Sequence, residues 1–272
     1  MDIHDEKQIV NHTSIVRADR ASKPSRSFII ETMTRDLKLN GLYIHQTIMK
    51  NLIRLLPLFV LLLTACGVTK NGLTAEEKGD GFQSLFNGKN LDGWVGNKQA
   101  YQVQDGNIVV DPKGEGGGNL LTEKEYSNFV FRFEFQLTPG ANNGLGIHAP
   151  LDGDVAYKGK EIQILDNTAE KYANLKEYQY HGSVYGIIPA KRGALKPVGE
   201  WNQEEIRVQG SKIKVILNGT TIVDGDFLEA SKNGTMDGKD HPGLQKTRGH
   251  IGFLGHGDVL QFRNIRIKDL GE

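Results

Sequence analysis

The sequence predicts an all-β protein, a jelly-roll β-sandwich of two antiparallel sheets, and three observations carry that prediction. From Phe82 onward apolar residues alternate with polar ones at period two. The cleanest run places Phe129, Phe131, Phe133, Phe135 and Leu137 on one face of a strand, and that face must be core. Turn residues punctuate the alternation: Asp105-Gly106-Asn107 and Asn218-Gly219 each separate two short apolar runs and read as hairpin turns. Helix signals are almost absent, with only residues 169–178 and 227–231 offering short candidates. Many short strands with little helix bury their apolar faces by stacking one sheet on another.

In chain order, strands are expected at 101–103, 108–110, 129–137, 145–148, 161–165, 205–208, 213–217, 220–223, 250–254 and 259–267. The 33 glycines follow no collagen-like period and suit a chain of strands and tight turns. The longest gap between strand signals, 167–201, predicts a loop laid over one face, and long loops in compact domains often carry function.

Ahead of this domain the chain reads differently. Residues 1–48 are polar and mixed in charge, without a sustained apolar period, and no fold is assigned to them; the expectation is that they reflect a start placed too far upstream. Residues 49–65 have the order of a signal peptide: Met49 and the basic Lys50 and Arg54, then an apolar run from Leu55 to Leu63 too short to span a bilayer. Leu63-Thr64-Ala65-Cys66 then resembles a bacterial lipobox, which makes Cys66 the expected lipidation site. The expectation is an exported cell-envelope lipoprotein that touches the membrane through its lipid anchor only, with residues 66–80 as a tether and 81–272 as the folded catalytic domain.

Composition narrows the partners. Lys+Arg and Asp+Glu are equal at 33 each, so no global field favours nucleic acid. One cysteine excludes an internal disulfide framework. No Gly-x-Ser-x-Gly elbow, P-loop or dinucleotide fingerprint occurs, which argues against esterases, nucleotide hydrolases and any nucleotide cofactor.

The chemistry-bearing stretch is Lys160-Glu161-Ile162-Gln163-Ile164-Leu165-Asp166. At strand period Ile162 and Ile164 enter the core while Glu161 and Gln163 stand together on the opposite face, and one irregular residue would turn Asp166 toward them. The spacing resembles that of β-sandwich glucanases, whose catalytic acids share a strand, but Gln163 stands where those enzymes carry a second acid. His148 follows Gly144 and Gly146 on the face opposite Leu145 and Ile147, where two glycines leave room; an imidazole there suits a proton carrier or a metal ligand. His256 lies in a Gly-His-Gly turn, and Tyr185 and Trp201 are candidates to stack on a sugar ring. No compact metal-ligand spacing such as H-E-x-x-H occurs, so the histidines and carboxylates leave a metal site open and unspecified.

Several segments together resemble a known family. These are Phe82 to Trp94 (FQSLFNGKNLDGW), Asn142 to Ile147, Glu161 to Asn167, Gly199-Glu200-Trp201-Asn202, His256-Gly257 and Phe262 to Lys268. In this order they are similar to the 3-keto-disaccharide hydrolase family, also described as 3-keto-glucoside 1,2-lyase and 3-keto-2-hydroxy-glucal hydratase, on a concanavalin A-like sandwich. The chain departs from that pattern at Asn143, at His148 and at Phe253-Leu254-Gly255-His256-Gly257. The resemblance implies an enzyme that cleaves 3-keto-glucosides by removing the C2 proton and expelling the C1 oxygen, with hydration completing net hydrolysis. Glu161, His148 and Asp166 are then the catalytic candidates, Asn143, Gln163, Tyr185, Trp201 and His256 the substrate contacts, and a divalent ion on the C3 carbonyl a candidate cofactor. The alternatives are a conventional glycosidase using Glu161 and Asp166, or a glycan-binding module without catalysis.

Overall fold

The computed structural model describes residues 70–110 and 117–272, with Arg35 the one position described before them. The expected signal segment 49–65 and Cys66 lie outside the described residues. Among the described residues no helix is long and apolar enough to cross a membrane.

The described strands are β1 (Gln83–Ser84), β2 (Trp94–Gly96), β3 (Tyr101–Gln104), β4 (Asn107–Val110), β5 (Gly118–Thr122), β6 (Asn128–Leu137), β7 (Asn142–Ala149), β8 (Lys160–Leu165), β9 (Trp201–Gln209), β10 (Lys212–Leu217), β11 (Thr220–Asp226), β12 (His250–Gly255) and β13 (Leu260–Gly271). They form two antiparallel sheets, one of eight strands in the order β11-β10-β9-β6-β13-β4-β3 with β1 also on β13, and one of five in the order β2-β5-β12-β7-β8. The chain is a jelly-roll β-sandwich, as its alternation requires. β1, β2 and β5 are additions to the expected set; each is short, and β1 and β2 lack a run long enough to show a period.

Both hairpin turns form. Asp105 and Gly106 have φ of 49° and 71°, and Asn218 and Gly219 have 49° and 82°, the paired positive φ that a two-residue turn needs to match strand twist. Phe129, Phe131, Phe133 and Phe135 of β6 are all buried, and Phe133 meets Phe253 of β12 and Phe262 of β13, whose rings stack at 3.7 Å. Truncating any one of these phenylalanines to alanine costs about 3–5 kcal/mol.

Among residues 70–272 that are described the α-helical content is small: α1 (Ala75–Gly79), α2 (Val155–Lys158) and α3 (Phe227–Ser231). α3 falls where the sequence places it. Residues 169–178 form two 3₁₀ turns instead of one helix, at Glu170–Tyr172 and Glu177–Gln179. Residues 70–80, expected as a tether, are docked on the eight-stranded sheet. Thr74 and Glu77 form a capping box, and Glu77 reaches Arg132 and Arg266 on the outer face of β6 and β13.

Candidate active site

The site is built on the outer face of the five-stranded sheet. β8 keeps strict alternation, so Ile162 and Ile164 are fully buried in the core while Glu161 and Gln163 point outward into a cavity of about 320 Å³. On neighbouring β7 the outward positions are Asn142, Gly144 and Gly146, and the two glycines are required by what lies over them. A Cβ on Gly144 would stand 2.1 Å from Glu161 Oε1, and one on Gly146 would stand 2.8 Å from Val155 of α2. The carboxylate therefore rests where a side chain is missing.

The loop after β8 walls the cavity. Residues 182–185 run along the free edge of β8: Gln163 N donates to Ser183 O at 2.9 Å, Gly182 N to Gln163 O at 2.7 Å, and Tyr185 N to Glu161 O at 2.9 Å. That edge pairing covers an otherwise open strand and delivers Tyr185 to the cavity, where its hydroxyl accepts from Gln179 Nε2 at 3.3 Å. Burial pushes the Tyr185 phenol up. His181 of the loop is buried against the opposite sheet, its Nε2 3.3 Å from Glu204 Oε2 and its Nδ1 accepting from Leu165 N.

His256, just after β12, brings its Nε2 to 3.7 Å from Glu161 Oε1, an ion-pair distance longer than a hydrogen bond. The Glu161 carboxylate raises the imidazole above its ordinary value, although partial burial opposes it. About half of the His256 side chain is exposed, so it can trade protons with water. Two amide oxygens near this pair, Gln163 Oε1 and Asn142 Oδ1, are buried without a hydrogen-bond partner in the protein. Buried polar atoms are normally satisfied, so these two oxygens keep spare acceptor capacity at the cavity wall. Glu161, Gln163, Tyr185 and His256 thus come together.

Four other expected residues do not join them. His148 sits at a bulge: its φ is +46°, and the β7–β12 register slips between Gly146↔Gly252 and Ala149↔His250. That one-residue slip turns the imidazole into the sandwich, where it is 1% exposed and packs edge-on against Phe129. Its Nε2 lies 2.8 Å from Ser127 O and its Nδ1 3.0 Å from the Lys160 ammonium. Burial, with help from the Lys160 charge, lowers its pKa to about 4, so it is a neutral packing residue at neutral pH. Asn143 has core parity with Leu145 and is fully buried beside Tyr101.

Asp166 is turned away from Glu161 to organise the start of the loop, accepting from Gly140 N, Thr168 N and Thr168 Oγ1. Burial alone would raise its pKa; the hydrogen bonds from Thr168 and Gly140 outweigh that and hold it low. Trp201 lies on the outer face of the eight-stranded sheet, with the Arg263 guanidinium 3.8 Å from its ring centroid. A stacking surface already covered by arginine is not free for a sugar.

The sequence reading overlooked Asn142 and Tyr157. Asn142 was accessible to it, because the parity that sends Leu145 inward sends Asn142 outward. Tyr157 sits on α2, a helix of four residues within a connection, and carried no periodic signal. Among the described residues no three His, Cys, Asp or Glu side chains gather to hold a metal ion. At the cavity Glu161 and His256 are the facing carboxylate–imidazole pair, with the amide oxygens of Gln163 and Asn142 beside them.

Residues 81–268 match the 3-keto-alpha-glucoside-1,2-lyase-like domain. The chain belongs to that family. A 3-keto-disaccharide hydrolase of Bacteroides thetaiotaomicron is 28% identical over 229 residues, covering 70% of this chain and 79% of that protein. Two crystal structures from Parabacteroides distasonis, each carrying a provisional glycosyl hydrolase description, share the fold. One is 26% identical with a TM-score of 0.65 over 75% of this chain and all of that one. The other is 32% identical with a TM-score of 0.61 over 70% and 99%. Family membership makes this a carbohydrate-active domain of the glycoside hydrolase type.

Proposed function

We propose that the domain cleaves 3-keto-glucosides by removing the proton on C2 and eliminating the C1 substituent, with hydration of the product giving net hydrolysis. The observation that carries this reading is the Glu161 carboxylate seated over Gly144 and faced by His256, at a cavity that also holds unpaired amide oxygens. A ketone at C3 acidifies the C2 hydrogen, and the C1 oxygen is then β to the carbonyl. One carboxylate base suffices to begin the reaction, and no oxocarbenium ion has to form.

In this reading Glu161 takes the C2 proton and His256, in place of the buried His148, carries protons between Glu161 and water. The Gln163 amide group donates to the ketone oxygen as negative charge grows there, and its unpaired Oε1 accepts from a neighbouring hydroxyl, as does Asn142 Oδ1. Tyr185 supplies an aromatic wall.

A conventional two-carboxylate glycosidase is less well supported, because Asp166 is committed to the loop and the other cavity carboxylate, Asp154, caps α2 by accepting from Ala156 N at 3.0 Å. Offering the protein a plain disaccharide and its 3-keto derivative separates the alternatives. Cleavage of the keto form alone is expected; cleavage of both would support the glycosidase, and of neither a binding module. We further propose that the domain reaches the cell envelope through lipid on Cys66. Cys66→Ala should abolish lipid labelling and release the protein from membranes; labelling that survives overturns this assignment.

A further inference from the structure

Tyr157 has no part in the steps just described, yet it lines the same cavity as Glu161 and His256. Its hydroxyl oxygen accepts a hydrogen bond from the Lys239 ammonium at 2.7 Å, so its own proton is left free to point elsewhere.

The ring is held from behind. It packs against His241, centroid to centroid at 4.7 Å, and His241 Nε2 lies 3.1 Å from both carboxylate oxygens of Asp237. Gly186 closes on this pair so tightly that a Cβ there would stand 2.8 Å from Asp237 Oδ2 and 2.9 Å from His241 Nε2. Met236 N also donates to Gly186 O at 2.7 Å. One short loop, 236–241, is therefore locked both to Tyr157 and to the segment carrying Tyr185, which fixes two walls of the cavity relative to each other.

The elimination needs an acid for the departing oxygen, and the other cavity groups are committed. Glu161 and His256 handle the C2 proton, and Gln163 and Asn142 are amides without a transferable proton. Asp154 caps α2, and the Tyr172 hydroxyl donates to Gly140 O at 3.3 Å. Tyr185 has only the neutral Gln179 amide beside its oxygen, and burial makes it a poorer acid.

We propose that Tyr157 is the general acid that protonates the C1 leaving oxygen, an assignment that rests on the elimination chemistry above. Glu161 takes the C2 proton and the C2–H electron pair moves onto the ketone oxygen as an enolate; when that pair returns to form the C1=C2 bond the C1–O bond breaks, the leaving oxygen takes the Tyr157 proton and the phenolate remains against Lys239. In the hydration half, the phenolate removes a proton from the water whose oxygen bonds to C1, and Glu161 returns a proton to C2. Every proton is restored and the sum is hydrolysis.

The test compares two 3-keto-glucosides in the full chain, one with a sugar leaving group and one with nitrophenolate, which departs without protonation. Tyr157→Phe should lose about 10²- to 10⁴-fold on the first and less than about 10-fold on the second. It should also keep wild-type exchange of the C2 hydrogen with deuterated water. Lys239→Met, at an exposed position, should show the same leaving-group dependence with a smaller loss, and it carries the test if Tyr157→Phe fails to fold. Equal losses on both substrates, or no loss on the sugar substrate, overturn the role of Tyr157 alone. Wild-type protein inert toward both substrates and without C2 exchange removes the elimination reading itself.

Discussion

The two outer faces of the sandwich carry similar residue types and treat them in opposite ways. On the eight-stranded sheet a cavity of about 540 Å³, larger than the one beside Glu161, is lined by Glu77, Glu134, Glu205, Arg132, Arg207 and Arg266 among others. Each of those carboxylates has its cations: Glu77 holds Arg132 and Arg266, Glu205 holds Arg132 and Arg207, and Glu134 holds Arg263 and the Asn264 amide. On the five-stranded sheet Glu161 has one imidazole at 3.7 Å, and two nearby amide oxygens have nothing. The pairs that Glu77 makes with Arg132 and Arg266 clamp residues 70–80 to the eight-stranded sheet, whereas the carboxylate at the smaller cavity is left with a single partner. Partner inventory, rather than cavity size, tells the two faces apart.

Substitutions sharpen that contrast. Glu161→Gln preserves volume and should reduce turnover of a 3-keto-glucoside by about 10²- to 10⁴-fold while leaving the melting temperature nearly unchanged. Full turnover in this variant would erase the distinction between the faces. Gly144→Ala comes next. Its new methyl would meet the Glu161 side chain and not backbone, so the carboxylate is displaced and the fold survives. A loss of about 10²-fold is expected from a shift of roughly 1 Å, read as kcat with circular dichroism unchanged.

Glu77→Ala probes the opposite face and should invert the pattern. Removing a mostly buried carboxylate that holds two arginines and completes a capping box should cost about 2 kcal/mol, between the values for exposed and buried pairs. A fall of about 4–8 °C in melting temperature with unchanged kcat/KM is the expected readout. Lost activity at full stability would move function to the larger cavity.

The smallest effect is a titration. Because Glu161 raises the His256 pKa, nuclear magnetic resonance should place the wild-type imidazole above the ordinary histidine range and show it falling in Glu161→Gln. The sign for stability follows. A raised folded-state pKa contributes stability that is fully present below the unfolded value and is lost as pH rises through the folded value. Glu161→Gln should therefore narrow the stability difference between mildly acidic and alkaline solution. An unshifted His256 would separate the two groups that the proposed mechanism joins.

Periodicity alone determined the sandwich, the phenylalanine face of β6, both hairpin turns and the sharing of one outward face by Glu161 and Gln163. These follow from a side-chain period of two and from turn residues that tolerate positive φ, which are local properties of the chain. It even held the parity that places Asn143 inward and Asn142 outward. Tertiary structure decided the rest. A single bulge residue reversed His148, because an alternation carried past a slip assigns every later side chain to the wrong face. Asp166 went to the loop because Gly140 and Thr168, brought up by the fold, offer it three hydrogen bonds. His256, Tyr185 and Tyr157 reach the cavity beside Glu161 from the end of β12, from an edge-pairing loop and from a four-residue helix, and a meeting across such separations depends on strand order and register, which no local pattern in the chain encodes.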